Sequence, residues 1–247
     1  MVALLITRPA LLAAPLIERC RSLGYTVFHE PLLTITPTES RRPANVKSPI
    51  VLLSSRATFE VLAAQKAEIA DLMAAPCYCV GEKTSETARA FGFTNIKRAA
   101  HDGKELAVTF LRQESQKHPI LHIGGEDHET TFHDAVSASG WHVVQWPVYK
   151  AVAAEELSSG LIGALRGQRL DVALFLSTRT AKTFVNLVQK NGLESCCRHL
   201  SAIELSGAVG HALMPLSFRT SLIAAFPTEA DLIDRLVKNF PARTRTA

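Results

Sequence analysis

Residues 4–33, LLITRPALLAAPLIERCRSLGYTVFHEPLL, and residues 120–150, ILHIGGEDHETTFHDAVSASGWHVVQWPVYK, read as two copies of one element. Each opens with a short apolar strand, breaks at a polar turn and continues as an amphipathic helix. Each then steps through a glycine beside an aromatic residue (Leu23-Gly24-Tyr25, Ser139-Gly140-Trp141) into a second strand ending at a proline, Pro31 or Pro147. A duplicated βαβ element predicts two similar lobes, and two lobes imply a cleft for a ligand.

The repetition extends outward. Val51-Leu52-Leu53-Ser54-Ser55-Arg56 recurs as Leu174-Phe175-Leu176-Ser177-Thr178-Arg179, an apolar strand running into hydroxyl residues and an arginine ahead of a helix. Cys77-Tyr78-Cys79-Val80-Gly81 precedes a helix over 84–91, and Ser201-Ala202-Ile203-Glu204 precedes one over 206–213. Asp102-Gly103-Lys104-Glu105 and Thr228-Glu229-Ala230-Asp231 both read as capped helix starts with carboxylates in the first turn. The strands are short apolar runs without polar alternation, the pattern of parallel sheets covered by helices on both faces.

The chain has 247 residues, enough for two domains of ordinary size. No apolar run approaches the length of a membrane span. The start, Met1-Val2-Ala3-Leu4-Leu5-Ile6-Thr7-Arg8, is expected to be a core strand rather than a signal peptide. The net charge of +4 favours anionic ligands mildly, but only Arg41-Arg42 and the tail Arg243–Arg245 cluster. With aromatics at 6% and no basic face, nucleic acid is not an expected partner. The segment 241–247 is expected to be disordered. The five cysteines form no disulfide framework and are expected to be reduced thiols of a cytoplasmic protein. His128 and His133 are five apart, not the four that stack two ligands on one helix face, so a solvated helix and no metal are expected there.

Chemistry in such folds sits beyond the carboxyl ends of the strands. The candidate turns are Thr7-Arg8-Pro9, Ser54-Ser55-Arg56, Gly81-Glu82-Lys83-Thr84, Gly124-Gly125-Glu126 and Ser177-Thr178-Arg179. Each opens a helix, where free N–H groups and the positive dipole end favour carboxylate or phosphate. Taken singly, each hydroxyl residue reads as a helix cap. Together they read as an anion-binding surface. No G-x-G-x-x-G follows a strand, and there is no P-loop or G-x-S-x-G elbow, so nucleotide and α/β-hydrolase readings lose support. Polar turns without a metal or an obvious nucleophile suit a site that binds and positions.

These marks resemble the uroporphyrinogen-III synthase family. They are Leu5-Ile6-Thr7-Arg8-Pro9, Leu53-Ser54-Ser55-Arg56-Ala57, and Val80-Gly81 with Thr84, Thr87 and Ala88. With them go Gly125-Glu126, Gly140-Trp141-His142-Val143 leading to Pro147-Val148-Tyr149, and Leu174-Phe175-Leu176-Ser177. The resemblance implies an α/β fold of two flavodoxin-like lobes with parallel sheets, joined by a two-stranded linker. Lobe one would be discontinuous, 1–34 plus 152–247, and lobe two would span 38–147, with linkers near 32–37 and 148–152. Periodicity alone leaves two contiguous halves equally open.

By the same resemblance, the protein is expected to be a cofactor-free lyase of tetrapyrrole and heme biosynthesis. It would cyclise linear hydroxymethylbilane to uroporphyrinogen III, inverting ring D through a spiro intermediate and losing water. Tyr149 matches the tyrosine proposed to help the hydroxyl leave, by donating a proton directly or through water. Ser54 and Thr84 match family positions facing the cleft, Ser55, Arg56, Gly81 and Gly125 are further expected substrate-binding residues, and Arg8 and Ser177 fit the opposing lobe. Backbone amides near Gly81 and Gly125 are expected carboxylate donors. A monomer that closes its cleft on the substrate is expected, with transient contact to the upstream synthase. Two positions depart from the family pattern: Gly124, where many relatives carry arginine, and Glu204, an acidic side chain facing a polyanion's expected site. They keep open a non-catalytic two-lobed binder of acidic small molecules. A flavodoxin-like nucleotide or flavin protein is a third reading.

Overall fold

The computed structural model describes residues 1–100, 102–128 and 130–242, with only the backbone at 98 and 99. Strand β1 (Ala3–Ile6) leads to helix α1 (Ala10–Ser22), then β2 (Thr26–His29) and β3 (Leu33–Pro37). The middle of the chain runs β4 (Ile50–Leu53), α2 (Ala57–Leu62), a 3-10 helix (Ala63–Leu72), β5 (Cys77–Val80) and α3 (Glu82–Phe91). It continues with β6 (Ile96–Ala100), α4 (Gly103–Gln113), β7 (Ile120–Gly125), α5 (Thr131–Ala138) and β8 (Val143–Ala153). Then follow α6 (Ser159–Arg166), β9 (Val172–Phe175), α7 (Thr178–Lys190) and a second 3-10 helix (Glu194–His199). The last elements are β10 (Ser201–Glu204), α8 (Gly207–Leu213), β11 (Thr220–Ile223) and α9 (Glu229–Asn239).

The chain divides into two compact units, Met1–Thr34 with Val152–Ala247, and Ile35–Ala151. The first carries a parallel sheet in the order β11-β10-β9-β1-β2. Its β1 pairs with β9, from Leu4 opposite Val172 to Ile6 opposite Leu174. Alternate residues of a strand point to opposite faces, and the packing follows. Leu5 joins Phe175, Phe184 and Val188 on one side, whereas Leu4 and Ile6 join Leu174, Ile203 and Leu232 on the other. Both faces being covered, β9 and β10 are buried along their whole length.

The second unit's sheet has the order β3-β8-β7-β4-β5-β6, and the run from β8 to β6 is parallel. Phe110 of α4 anchors its aromatic core, with ring centroids 5.1 Å from Tyr78, 5.5 Å from Phe132 and 4.6 Å from Trp141. These are edge-on pairs, each worth about 0.5–1.5 kcal/mol beyond burial. The aromatic residue after Gly140 is thus what seats the turn into β8. Gly140 itself has φ +79°, a conformation that favours glycine.

Helix starts behave as their caps dictate. The Asp102 carboxylate accepts from the Glu105 amide at 2.8 Å, and the Thr228 hydroxyl accepts from the Asp231 amide at 3.1 Å. Each such cap contributes about 1 kcal/mol. Helix α3 begins at Glu82, two residues earlier than the pattern predicts.

Pro147 does not end its strand. β8 runs through it to Ala153, because the pairing with β7 slips there: Gly124 faces Pro147, and Gly125 faces Tyr149. The irregularity accommodates a residue without an N–H. All five cysteines are free thiols, and Cys77 and Cys79 share a face with their sulfurs 3.9 Å apart. Of the segment expected to be disordered, Ala242 packs against the first unit's core, and residues 243–247 lie outside the described residues.

Candidate functional site

In the second unit, the carboxyl ends of β4 and β7 and the bend in β8 enclose a pocket of about 220 Å³. Its walls include Ser54, Ser55, His122, Gly125, His133 and Tyr149. A larger hollow of about 620 Å³ lies at the opposite ends of the strands, beside Pro49, Ile50 and Pro76. It lacks the converging polar turns, so the smaller pocket is the candidate site.

Tyr149 lies across Gly125. A Cβ built on Gly125 would stand 2.8 Å from Tyr149 Cε2 and 2.9 Å from Cζ, closer than real contacts allow. Glycine is therefore required here for the tyrosine's sake. The Glu126 amide donates to the Tyr149 carbonyl at 2.8 Å, which fixes the backbone beneath the ring. Burial pushes the Tyr149 phenol above the ordinary tyrosine value, and a hydrogen bond with Ser55 pulls part of that back. The phenol is therefore protonated at neutral pH and able to donate.

Ser54 follows β4, and its Oγ lies 2.9 Å from Nε2 of the buried His122 on β7. His122 Nδ1 lies 2.9 Å from His133 Nε2, and His133 Nδ1 lies 3.2 Å from His128 Nε2. Gln145 of β8 holds the far end, its amide donating to the Gly125 carbonyl at 2.9 Å with His128 Nδ1 also at 2.9 Å. Burial, and then the neighbouring His133 and His128, push His122 down to about 3, so it is neutral at physiological pH. His133 is lowered too, chiefly by burial. The expectation of a solvated helix at 128–133 is corrected: α5 starts only at Thr131, so His128 belongs to the preceding loop and folds back onto His133. Glu129 of that string lies outside the described residues. The available signal was a histidine inside the apolar run Ile120-Leu121-His122-Ile123, which a search for helical metal spacing does not examine.

The other expected site residues are placed as follows. Val80, not Gly81 or Thr84, is the part of the third turn that lines the pocket. The Gly81 amide donates to the Ala100 carbonyl at 2.6 Å, so that amide is engaged within the fold and is not a carboxylate donor. Thr84 is buried in the first turn of α3. Arg56 stands at the N-cap position of α2. In the first unit, Arg8 pairs with the Glu229 carboxylate at the start of α9. Ser177 caps α7, accepting from the Thr180 amide at 3.1 Å. Glu204 is buried, takes a hydrogen bond from Ser221, and packs where a Cβ on Gly210 would collide with its carboxylate. Its charge is turned into its own unit.

The chain has three tyrosines, and Tyr25, Tyr78 and Tyr149 all lie above the ordinary value because burial disfavours the phenolate. Their folded pKa values exceed the unfolded value of about 10, so the stability they contribute is complete below that pH and lost as pH rises beyond it. Alkaline titration of tyrosinate absorbance is expected to rise at higher pH than for free tyrosine while the protein is folded. A native titration centred at the free-tyrosine value would contradict the burial described.

Comparison with known proteins places the chain. A family model described as uroporphyrinogen-III synthase HemD matches residues 14–234. A uroporphyrinogen-III synthase of Synechococcus elongatus is 26% identical over 214 residues, which cover 76% of this chain and 75% of that protein. The crystal structure of uroporphyrinogen-III synthetase from Helicobacter pylori superposes with a TM-score of 0.64 at 15% identity, over 96% of this chain and 99% of that one. A mutant uroporphyrinogen III synthase from the extremely thermophilic bacterium Thermus thermophilus gives 0.58 at 11% identity, over 96% and 98%. At those identities the two structures speak to the fold, a parallel-sheet α/β architecture.

Proposed function

The chain belongs to the uroporphyrinogen-III synthase family, and from that premise we propose that it closes hydroxymethylbilane to uroporphyrinogen III, inverting ring D and releasing water. The observation that carries the site assignment is Tyr149, a protonated phenol held over Gly125 and hydrogen-bonded to Ser55 in a pocket that Ser54 also lines. The leaving hydroxyl needs a proton and a dry place to depart from. A buried phenol supplies the first, and burial supplies the second. Loss of water leaves an electrophilic terminal carbon; ring D attacks it to give the spiro intermediate, which rearranges to the type III macrocycle. No strong acid is required, because the reacting ends only have to be held in one conformation.

At about 220 Å³ the pocket is below the roughly 300–1,000 Å³ that encloses a small molecule. In this reading it receives only the reacting end of the substrate. Ser54, Ser55 and the Gly125 turn would hold a carboxylate there, with Arg56, Gly81 and Thr84 shaping the adjoining turns. The pairing of Arg8 with Glu229 and the cap at Ser177 favour structural work for those two residues. The five free thiols accord with a reducing, cytoplasmic setting. The protein is proposed to act there as a monomer, with transient contact to the upstream synthase.

The test is an isomer assay. Purified protein given freshly made hydroxymethylbilane should shift the oxidised porphyrin from isomer I to isomer III. Isomer I alone at every protein concentration would sink the proposal and favour the non-catalytic binder. In the same assay Ser54→Ala is expected to slow turnover roughly fivefold, the loss of about one hydrogen bond. Thr84→Ala, buried and off the pocket wall, should cost about 1 kcal/mol of stability through the loss of a buried methyl, with a smaller change in rate. Complete inactivation by either change, with the fold intact, would argue for a dedicated catalytic hydroxyl instead of distributed positioning.

A further inference from the structure

We propose that His122, His128 and His133 form a binding site for a borderline divalent transition ion of the zinc class. One ligand nitrogen from each ring can be chosen so that all lie within 4.8 Å of one another. The rings pack with centroids 4.9, 4.9 and 4.5 Å apart. Imidazole nitrogens about 2.1 Å from one ion at tetrahedral angles stand about 3.4 Å from each other. Gathering the three needs a relative shift of at most about 1.4 Å, which His128 and His133, both only partly buried, can supply by side-chain rotation. Three imidazole ligands suit zinc, cobalt, nickel or copper, whereas magnesium and calcium prefer oxygen donors.

The surroundings already hold two of the rings as a metal site requires. Ligating histidines direct their other nitrogen to a fixed partner. For His122 that partner is Ser54, 2.9 Å from Nε2, and Nδ1 is left to turn toward the trio. For His128, Nδ1 faces the Glu126 carbonyl at 3.4 Å, an acceptor for its N–H, so Nε2 points inward. The trio lines the pocket, which leaves a coordination position open to solvent or ligand. The ion is not a participant in the cyclisation proposed above, and the site stands or falls separately from it.

The test uses untagged protein stripped with chelator and dialysed against zinc or cobalt. Wild type is expected to retain about one equivalent of zinc and, with cobalt, to show the visible absorption of a low-coordinate nitrogen site. His133→Ala should lose both. His128→Ala should as well, and because His128 sits in a loop ahead of α5, its loss cannot be ascribed to a broken core. Ser54→Ala, which deprives His122 of its partner, should weaken affinity about 10-fold. His211→Ala, on the surface of the other unit, should change nothing. Failure of wild type to hold a stoichiometric ion, or retention unchanged in both histidine variants, overturns the proposal and leaves the trio as a hydrogen-bonded chain of imidazoles. No substrate enters the measurement, so either result leaves the synthase reading untouched.

Discussion

Tyr149→Phe is expected to lower kcat about 100-fold with little change in KM, the lower end of what a positioned general acid supplies. The change removes one oxygen and keeps the ring, so the close seat over Gly125 and the packing of β8 remain. Substrate that still binds would then lose its hydroxyl with only water to protonate it, which is why the loss is put at the lower end. Because hydroxymethylbilane also closes by itself, the product mixture should drift toward isomer I as the enzymatic rate falls. Separation of the oxidised porphyrin isomers reads both effects at once. A variant that keeps the parent rate and isomer III would remove the phenol from the mechanism and place the proton donor elsewhere.

Gly125→Ala is expected to cost about 1–3 kcal/mol of stability and at least as much activity as Tyr149→Phe. The added methyl would sit 2.8–3.1 Å from two ring carbons and the hydroxyl of Tyr149. Tyr149 is 9% exposed and lines the pocket, so the collision would push its ring into the space proposed for the substrate. The cause can be isolated by a double-mutant cycle. In a Tyr149→Ala background the collision is gone, and Gly125→Ala should cost almost nothing in chemical denaturation. Equal destabilisation in both backgrounds would mean that the glycine serves the backbone and not the tyrosine.

The two departures from the family pattern have physical explanations in this chain. At Gly124 a Cβ would already stand 3.0 Å from His122 Nε2 and 3.5 Å from Ser54 Oγ. The volume an arginine side chain would need is therefore taken by the His122–Ser54 pair. Glu204 is buried against Gly210 and Ser221 instead of facing solvent, so it presents no charge to an anion.

Several residues of the candidate pocket were legible because their signals are local. Ser54, Ser55 and Gly125 follow apolar runs at strand ends, where fold geometry puts ligands, and they line the pocket. Tyr149 entered by family resemblance, since nothing nearby in sequence distinguishes a catalytic phenol from a packed one. Gly81 looked the same as Gly125 in sequence, yet its amide is engaged by Ala100. Only the position of β6 beside β5 decides that.

By itself the sequence determined the alternation of strand and helix, the parallel sheets and the duplicated βαβ element. Run length, caps and turn glycines act over a few residues, so they can be read without knowing what lies across the sheet. Family resemblance placed β1 with the late strands, but periodicity cannot rank that, and the tertiary structure decided that β1 lies between β2 and β9 rather than beside β4, a pairing across more than half the chain. It also decided the register of β8 on β7. The slip after Gly124 sets Tyr149 opposite Gly125, and the fold of the following loop brings His128 and His133 to His122. Side-chain period along a strand is two, so a shift of one residue would have turned Tyr149 to the other face. That register is fixed by the packing of the whole sheet.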